Sequence, residues 1–285
     1  MKEKSIYLKI RDYSVSGEEF QLLYNNDFEM LETYPQPSLD KLPEYYKSED
    51  YISHTDSKRN IFEFVYHHVK SIALKHKIKR INKCVTTDKS LLDVGCGTGD
   101  FLKAALEDHW KISGIEPNLK ARTIANKKTN NVVFDTDQLF KFQPESFDVI
   151  TLWHVLEHLP DLEKHFKVFK SLLKEHGTLI IAVPNFHSYD AKYYNSYWAA
   201  YDVPRHLWHF SKQAISKLAE NEFMKVVNIS PMIFDAYYVS LLSEKYKTGF
   251  MNPIKAFWIA SISNFKAKRN NNYSSLIYSI KKLEK

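Results

Sequence analysis

From residue 90 onward, short apolar runs alternate with stretches whose apolar positions recur at helical spacing. Residues 91–95, 111–116, 132–134, 147–152 and 178–183 read as strands, and residues 101–107, 119–127 and 162–175 as helices between them. The run at 178–183 is apolar throughout, as expected of a strand covered on both faces. This is the rhythm of a parallel sheet with crossover helices. Near the end, Leu276, Tyr278 and Ile280 alternate with polar residues, so a last strand is predicted at about 274–281.

Two long stretches interrupt the rhythm. Residues 185–210 are rich in Tyr, Trp and His, and residues 237–272 are aromatic and basic; segments of this length usually cover a pocket or meet a partner. Ahead of the sheet, residues 7–50 mix short apolar stretches with turn formers and predict a small β-rich accessory unit. A helix follows from about 57 to 79, its stripe of Ile61, Phe62, Val65, Val69, Ile72 and Leu74 packing on the larger domain. The division expected is an accessory region at 1–54 and a main domain at 55–285.

Composition narrows the classes. With 44% hydrophobic and 26% charged residues the chain is ordinary globular protein. No segment reaches the roughly 18 uncharged apolar residues of a membrane span, and the first residues lack a signal-peptide core, so a cytoplasmic chain is expected. Only Cys84 and Cys96 are present, too few for a disulfide scaffold or a four-thiolate zinc site. The net charge of +6 argues for solubility more than for a nucleic-acid substrate.

The sharpest motif is Leu91-Leu92-Asp93-Val94-Gly95-Cys96-Gly97-Thr98-Gly99-Asp100-Phe101, which packs three of the seven glycines into five positions between a predicted strand and helix. Glycine permits positive φ and leaves no Cβ between backbone and a bound cofactor. Seventeen residues after Gly99, the second strand ends at Glu116-Pro117-Asn118, where an acid can accept both hydroxyls of a ribose. A dinucleotide would use the same layout. The nicotinamide fingerprint is G-x-G-x-x-G, however, and Asp93 beside this loop would repel a pyrophosphate while helping to hold a cationic methionine ammonium. S-adenosylmethionine is therefore favoured over NAD.

The strings LLDVGCGTGDFL, GIEPN, FDVITLWHVLEHLPD and LKEHGTLIIAVPN resemble the successive motifs of class I S-adenosylmethionine-dependent methyltransferases, and most resemble the branch of ubiquinone-biosynthesis O-methyltransferases. The resemblance is strong over residues 90–185 and weak elsewhere. It implies an α/β fold: a doubly wound, mostly parallel, seven-stranded Rossmann-like sheet with helices on both faces. It also implies a loop of Gly95, Cys96, Gly97, Gly99 and Phe101 around the methionine part, Glu116 and Pro117 at the ribose, and Asp137, with Asp135 as rival, at the adenine amine. Many proteins of this kind begin with a cysteine-bearing zinc ribbon; the N-terminal region here has no cysteine, so an accessory β unit without metal is expected, with Tyr45, Tyr46 or Tyr51 as candidates to close one side of the pocket.

The acceptor belongs beyond the fourth strand, at Trp153-His154-Val155-Leu156-Glu157-His158. Trp153 and His154 are candidates to line the methionine end, and His158 is a candidate base. The spacing of His154, Glu157 and His158 equally suits a hydrogen-bonded helix start. Related O-methyltransferases carry E-x-x-E-H here, a pattern linked to metal; a histidine replaces the first acid in this chain, and no metal is expected. Further on, Tyr201, Arg205, His206 and His209 lie in a PRHL-type segment that resembles the family's acceptor-side lid, and His206 is the second candidate base. The bland reading of that segment is a helix capped by Ser211 and anchored by Trp208 and Phe210, with the histidines filling gaps.

The expected function is methyl transfer to a small-molecule acceptor, aromatic, sugar or lipid-linked, most simply at a hydroxyl oxygen. The competing readings are a non-catalytic S-adenosylmethionine-binding or interaction module and an NAD-dependent oxidoreductase. The segment around Phe257 and Trp258, followed by Lys266, Lys268 and Arg269, suits a cover for the acceptor, a subunit contact in a homodimer, or peripheral contact with an anionic membrane.

Overall fold

The computed structural model describes residues 5–38, 40–46, 61–84 and 86–283, with the side chains of 61–68 outside the description. The predicted start of the first helix and Tyr51 lie outside the described residues. Three N-terminal strands come first: β1 (Ser5–Arg11), β2 (Glu19–Asn25) and β3 (Met30–Tyr34). Helix α1 (Ile61–Ile81) follows and leads into β4 (Ser90–Val94), α2 (Asp100–Glu107), β5 (Lys111–Ile115), α3 (Leu119–Lys128) and β6 (Val133–Phe134). Next come β7 (Phe147–Trp153), α4 (Leu162–Leu172), β8 (Leu173–Pro184), α5 (Tyr189–Tyr194), β9 (Trp208–His209) and α6 (Lys212–Asn221). The chain closes with β10 (Met224–Pro231), α7 (Asp235–Thr248), α8 (Pro253–Asn270) and β11 (Ser275–Lys282).

Seven strands form one sheet in the order β10-β11-β8-β7-β4-β5-β6. The pairs from β8 to β6 are parallel, and β11 runs antiparallel to both of its neighbours. All five residues of β4 are buried, the polar Ser90 and Asp93 included. On one face, Phe166 and Phe169 of α4 and Ile215 and Leu218 of α6 pack on the sheet. On the other, Leu74, Ile78 and Ile81 of α1 meet Phe101, Leu102 and Ala105 of α2. Each fully buried Leu, Ile or Phe among them contributes about 1.5–3 kcal/mol.

The doubly wound expectation holds, with two differences in detail. The predicted helix at 162–175 stops at Leu172, because Leu173 already pairs with Phe147 and begins β8. Strand β10 carries no clear periodicity: it is a sheet edge on which Met224 alone is buried. The aromatic, basic segment 237–272 folds into most of α7 and all of α8, inserted between the two antiparallel strands.

The accessory strands form a second, antiparallel sheet, β1-β2-β3-β9, whose last strand is supplied by the substrate-side insertion. The two regions share a core in which Phe20, Leu22 and Leu31 pack with Phe186, Trp198 and Tyr201. Buried Asp190 locks the insertion to the main domain by accepting from Trp198 Nε1 at 2.8 Å and from the Ser263 and Ser274 hydroxyls at 2.6 Å. No described helix is long and apolar enough to cross a membrane.

Candidate active site

The glycine turn sits where β4 meets α2. Its three glycines all have positive φ, +71° at Gly95, +55° at Gly97 and +78° at Gly99, but for different reasons. A Cβ on Gly95 would come within 2.3 Å of Val155 Cγ2, and one on Gly99 within 2.9 Å of Ala125, so these two are required by packing. A Cβ on Gly97 would meet nothing within 4 Å. That position is the open cradle, free for a ligand to approach the backbone. The turn is fastened to β5 by the Gly95 and Cys96 amides, which donate to the Ile115 carbonyl at 2.8 and 3.0 Å.

Glu116, at the tip of β5, is buried and accepts from the Gly97 amide at 2.8 Å and the Asn118 amide at 2.9 Å. Burial raises its pKa despite those two amides. Each carboxylate oxygen accepts one of the two bonds and keeps a lone pair for a ligand hydroxyl. Exposed Pro117 shapes the turn beyond, and its carbonyl, like that of Glu116, accepts from Arg122. Asp93 lies deeper. Burial pushes it up to about 7, although the Thr151 hydroxyl donates to it at 2.6 Å and Lys77 stands nearby.

Phe101 and Trp153 meet edge to face at 5.7 Å and form one wall. The Lys77 ammonium, from α1, lies 4.4 Å above the Trp153 ring, where Asp93 and Asp235 attract it. Lys77 escaped the sequence reading because a helical lysine ordinarily faces water. The available signal was its place within the apolar stripe of Leu74, Ile78 and Ile81. Cys96 is present through its backbone, since its side chain packs in the core against Gly114. After β6, Asp135 caps a short 3-10 turn (Thr136–Phe140) and pairs with Arg122 at 2.9 Å, while Asp137 stands exposed in that turn's first residues.

Beyond β7, His154 adopts φ +57°, a strained conformation for a non-glycine residue and one common at functional sites. Burial works against its charge, but Asp235 at 2.8 Å and Glu157 at 3.4 Å outweigh it and push its pKa to about 10. A 3-10 turn (Leu156–His158) follows. Burial and then His206 lower the His158 pKa to about 4, so the ring is neutral near pH 7. Its Nδ1 lies 2.9 Å from the Tyr46 hydroxyl and 3.0 Å from the Arg205 carbonyl. A carbonyl can only accept, so Nδ1 carries the proton and Nε2 the lone pair. Ligand atoms of Glu157, His158 and His206 lie within 4.8 Å of one another.

The PRHL segment comes to the same region. The His206 ring stands perpendicular to that of His158 at 4.6 Å, with Nδ1 donating to the Ala200 carbonyl at 2.9 Å. The Arg205 guanidinium is spent on Asp202, the Ser14 hydroxyl at 2.7 Å and the Tyr45 carbonyl at 3.2 Å, thereby clasping the accessory region. The Thr33 hydroxyl donates to the His206 carbonyl at 2.6 Å and so accepts from His209 Nε2 at 3.1 Å. Tyr201 is buried in the shared core, its hydroxyl bonded to Tyr7. Of the accessory tyrosines, Tyr46 reaches His158, whereas Tyr45 donates to Glu18 at 2.6 Å.

A family model described as a methyltransferase domain matches residues 65–222, more than half of the chain. A ubiquinone biosynthesis O-methyltransferase of Histophilus somni is 31% identical over 110 residues, covering 35% of this chain and 46% of that relative. An uncharacterized methyltransferase of Anoxybacillus flavithermus is 30% identical over 96 residues, 32% of this chain and 45% of the relative. These matches span less than half the length of either relative. Among solved structures, an S-adenosylmethionine-dependent methyltransferase from Archaeoglobus fulgidus superposes with a TM-score of 0.52 at 18% identity over 75% of this chain and 94% of that one. Geranyl diphosphate C-methyltransferase from Streptomyces coelicolor gives 0.53 at 14% identity over 81% and 84%. The chain belongs to the class I S-adenosylmethionine-dependent methyltransferase family.

Proposed function

We propose that this protein moves the methyl group of S-adenosylmethionine to a hydroxyl oxygen of a small molecule, releasing S-adenosylhomocysteine. The observation that carries the reading is the pairing of an open glycine cradle at Gly97 with the buried carboxylate of Glu116. When bound, the donor supplies a methyl group already activated on a sulfonium. The chain's residues bind, orient and move a proton. Glu116 accepts the ribose hydroxyls. Asp93 faces the ammonium of the methionine part, and Lys77 its carboxylate, so the two read opposite ends of one zwitterion. Phe101 and Trp153 exclude water, and exposed Asp137 is assigned to the adenine amine.

His158 is the base. Its ring is neutral with the lone pair on Nε2, and the nearby Glu157 and Asp202 carboxylates favour the imidazolium it becomes on taking a hydroxyl proton as the oxygen–methyl bond forms. Tyr46 and His206 orient its ring. Cationic His154 stands between Asp235 at 2.8 Å and Glu157 at 3.4 Å and offsets part of their charge. Arg205, Tyr201 and His209 hold the wall of the acceptor side through their existing bonds.

Incubation with methyl-labelled donor and a panel of phenolic, sugar and polyprenyl-linked alcohols, together with the corresponding amines, tests the reading. A labelled O-methyl product is expected; labelled products bearing only new N-methyl or C-methyl groups overturn the hydroxyl assignment.

A further inference from the structure

The outer face of α8 is more apolar than the face it buries. Ala256, Ile259, Ala260, Ser263, Asn264 and Ala267 point inward, with Ile259 the one large apolar side chain among them. Ile254, Phe257, Trp258 and Phe265 point outward, exposed between 62% at Phe257 and 75% at Ile254. At 100° per residue, Ile254, Trp258 and Phe265 fall on one stripe along the outside of the helix, with Phe257 beside it. An ordinary surface helix has the opposite polarity, and a contiguous exposed apolar patch marks a contact surface.

Residues 232–237 form a lip beside the candidate active site and join it to the stripe. Met232 packs with the cluster that contains Trp153, and Asp235 holds His154 at 2.8 Å. Between them Ile233 and Phe234 are exposed. The Tyr237 ring then lies 5.4 Å from that of Phe257, joining the lip to α8. The surroundings are cationic. Residues 237–272 hold Lys245, Lys247, Lys255, Lys266, Lys268 and Arg269 against a single acid, Glu244. That acid is fully buried and pairs with Lys255 at 3.3 Å.

We propose that α8 and the adjoining lip dock on a bilayer surface carrying anionic headgroups, which sets the mouth of the cleft against the lipid. Aromatic and aliphatic side chains enter the boundary between headgroups and acyl chains, while the flanking lysines and Arg269 meet lipid phosphates. Charge favours this occupant over a second copy of the chain. A two-fold contact through the stripe would bring each basic cluster toward its duplicate, and the segment offers no exposed acid to offset it. The docking surface is independent of the methyl-transfer reading.

Co-sedimentation of the full chain with phosphatidylcholine vesicles, with and without phosphatidylglycerol, tests the proposal. Retention is expected on the anionic vesicles, reduced by salt and weak on the neutral ones. Combined Phe257→Ser and Trp258→Ser should lower the partition coefficient about a hundredfold, roughly tenfold per aromatic. Circular dichroism and S-adenosylmethionine binding should not change. Lys268→Glu with Arg269→Glu should weaken retention on anionic vesicles alone. Wild-type partition that ignores phosphatidylglycerol, or a Phe257/Trp258 variant that partitions like wild type, overturns the proposal. So does a lipid-free dimer in sedimentation velocity that the same variant converts to a monomer, which assigns the stripe to a second copy.

Discussion

The carboxylate of Glu116 accepts a hydrogen bond from the Gly97 amide at 2.8 Å, joining the tip of β5 to the one glycine of the turn that faces open space. The acid is thereby aimed before any ligand arrives, with burial to strengthen the bonds it makes. A charged hydrogen bond of this kind is worth about 1.5–3 kcal/mol. Replacing Glu116 with alanine should therefore weaken S-adenosylmethionine binding about ten- to a hundredfold, read by titration calorimetry. Circular dichroism should remain that of the folded sheet. Unchanged affinity in the folded variant would remove Glu116 from the site.

Gly95 and Gly97 separate folding from binding. Alanine at Gly97 adds a methyl group to open space, so its cost is the left-handed backbone alone, about 1–2 kcal/mol. Alanine at Gly95 carries the same backbone cost and also drives a Cβ to 2.3 Å from Val155, adding about 1–3 kcal/mol of overpacking. Thermal unfolding should show Gly95→Ala as the less stable variant. Donor affinity, measured well below either melting temperature, should fall in Gly97→Ala. A Gly97→Ala protein that binds as well as wild type contradicts the cradle.

The parts of the site legible in the sequence are those built from local chain. Gly95, Gly97, Gly99 and Glu116 sit on two consecutive strand-to-helix turns, and the periodicity around them fixes where they point. The bonds of the PRHL segment are not local. His209 reads as an acceptor-side lid residue until Thr33, 176 positions earlier, is seen to take its Nε2. Arg205 reads as an acceptor-side residue until Asp202 and Ser14 are found on its guanidinium. The β9 strand that joins the insertion to the accessory sheet has two residues, too short for any pattern. Lys77 was hidden because its ring partners lie 24 and 76 positions further on.

Asp93 makes donor binding depend on pH. Its pKa is raised by burial to about 7, so at lower pH the carboxyl is neutral and holds a cationic ammonium poorly. Binding selects the ionised form. Affinity should rise up to tenfold per pH unit below about 7 and level off above it. For the unliganded protein the sign is reversed. The folded state binds the proton more tightly than the unfolded chain, so this group's stabilisation is complete below pH 3.8 and is lost as pH rises through about 7. Asp93→Asn should flatten the affinity profile; a wild-type profile flat from pH 6 to 8 would count against an ammonium contact.

His158 and Tyr46 are distinguishable by kinetics. Loss of a general base costs about 10²–10⁴ in rate, so His158→Ala should lower kcat by that order with little change in donor affinity. Tyr46→Phe removes only the hydroxyl 2.9 Å from Nδ1 and should lower kcat less. With the His158 pKa depressed to about 4, kcat measured at saturating donor should not fall on the acid side until well below pH 6, whereas kcat/KM for the donor follows Asp93. A His158→Ala enzyme with wild-type kcat would assign the proton to another acceptor.

Titration calorimetry of the purified chain against S-adenosylmethionine, S-adenosylhomocysteine and NAD tests the central claim most directly. The two sulfur nucleosides should each bind at one site per chain, and NAD should give no heat at the same concentrations. Binding of NAD without binding of either sulfur nucleoside would contradict the account.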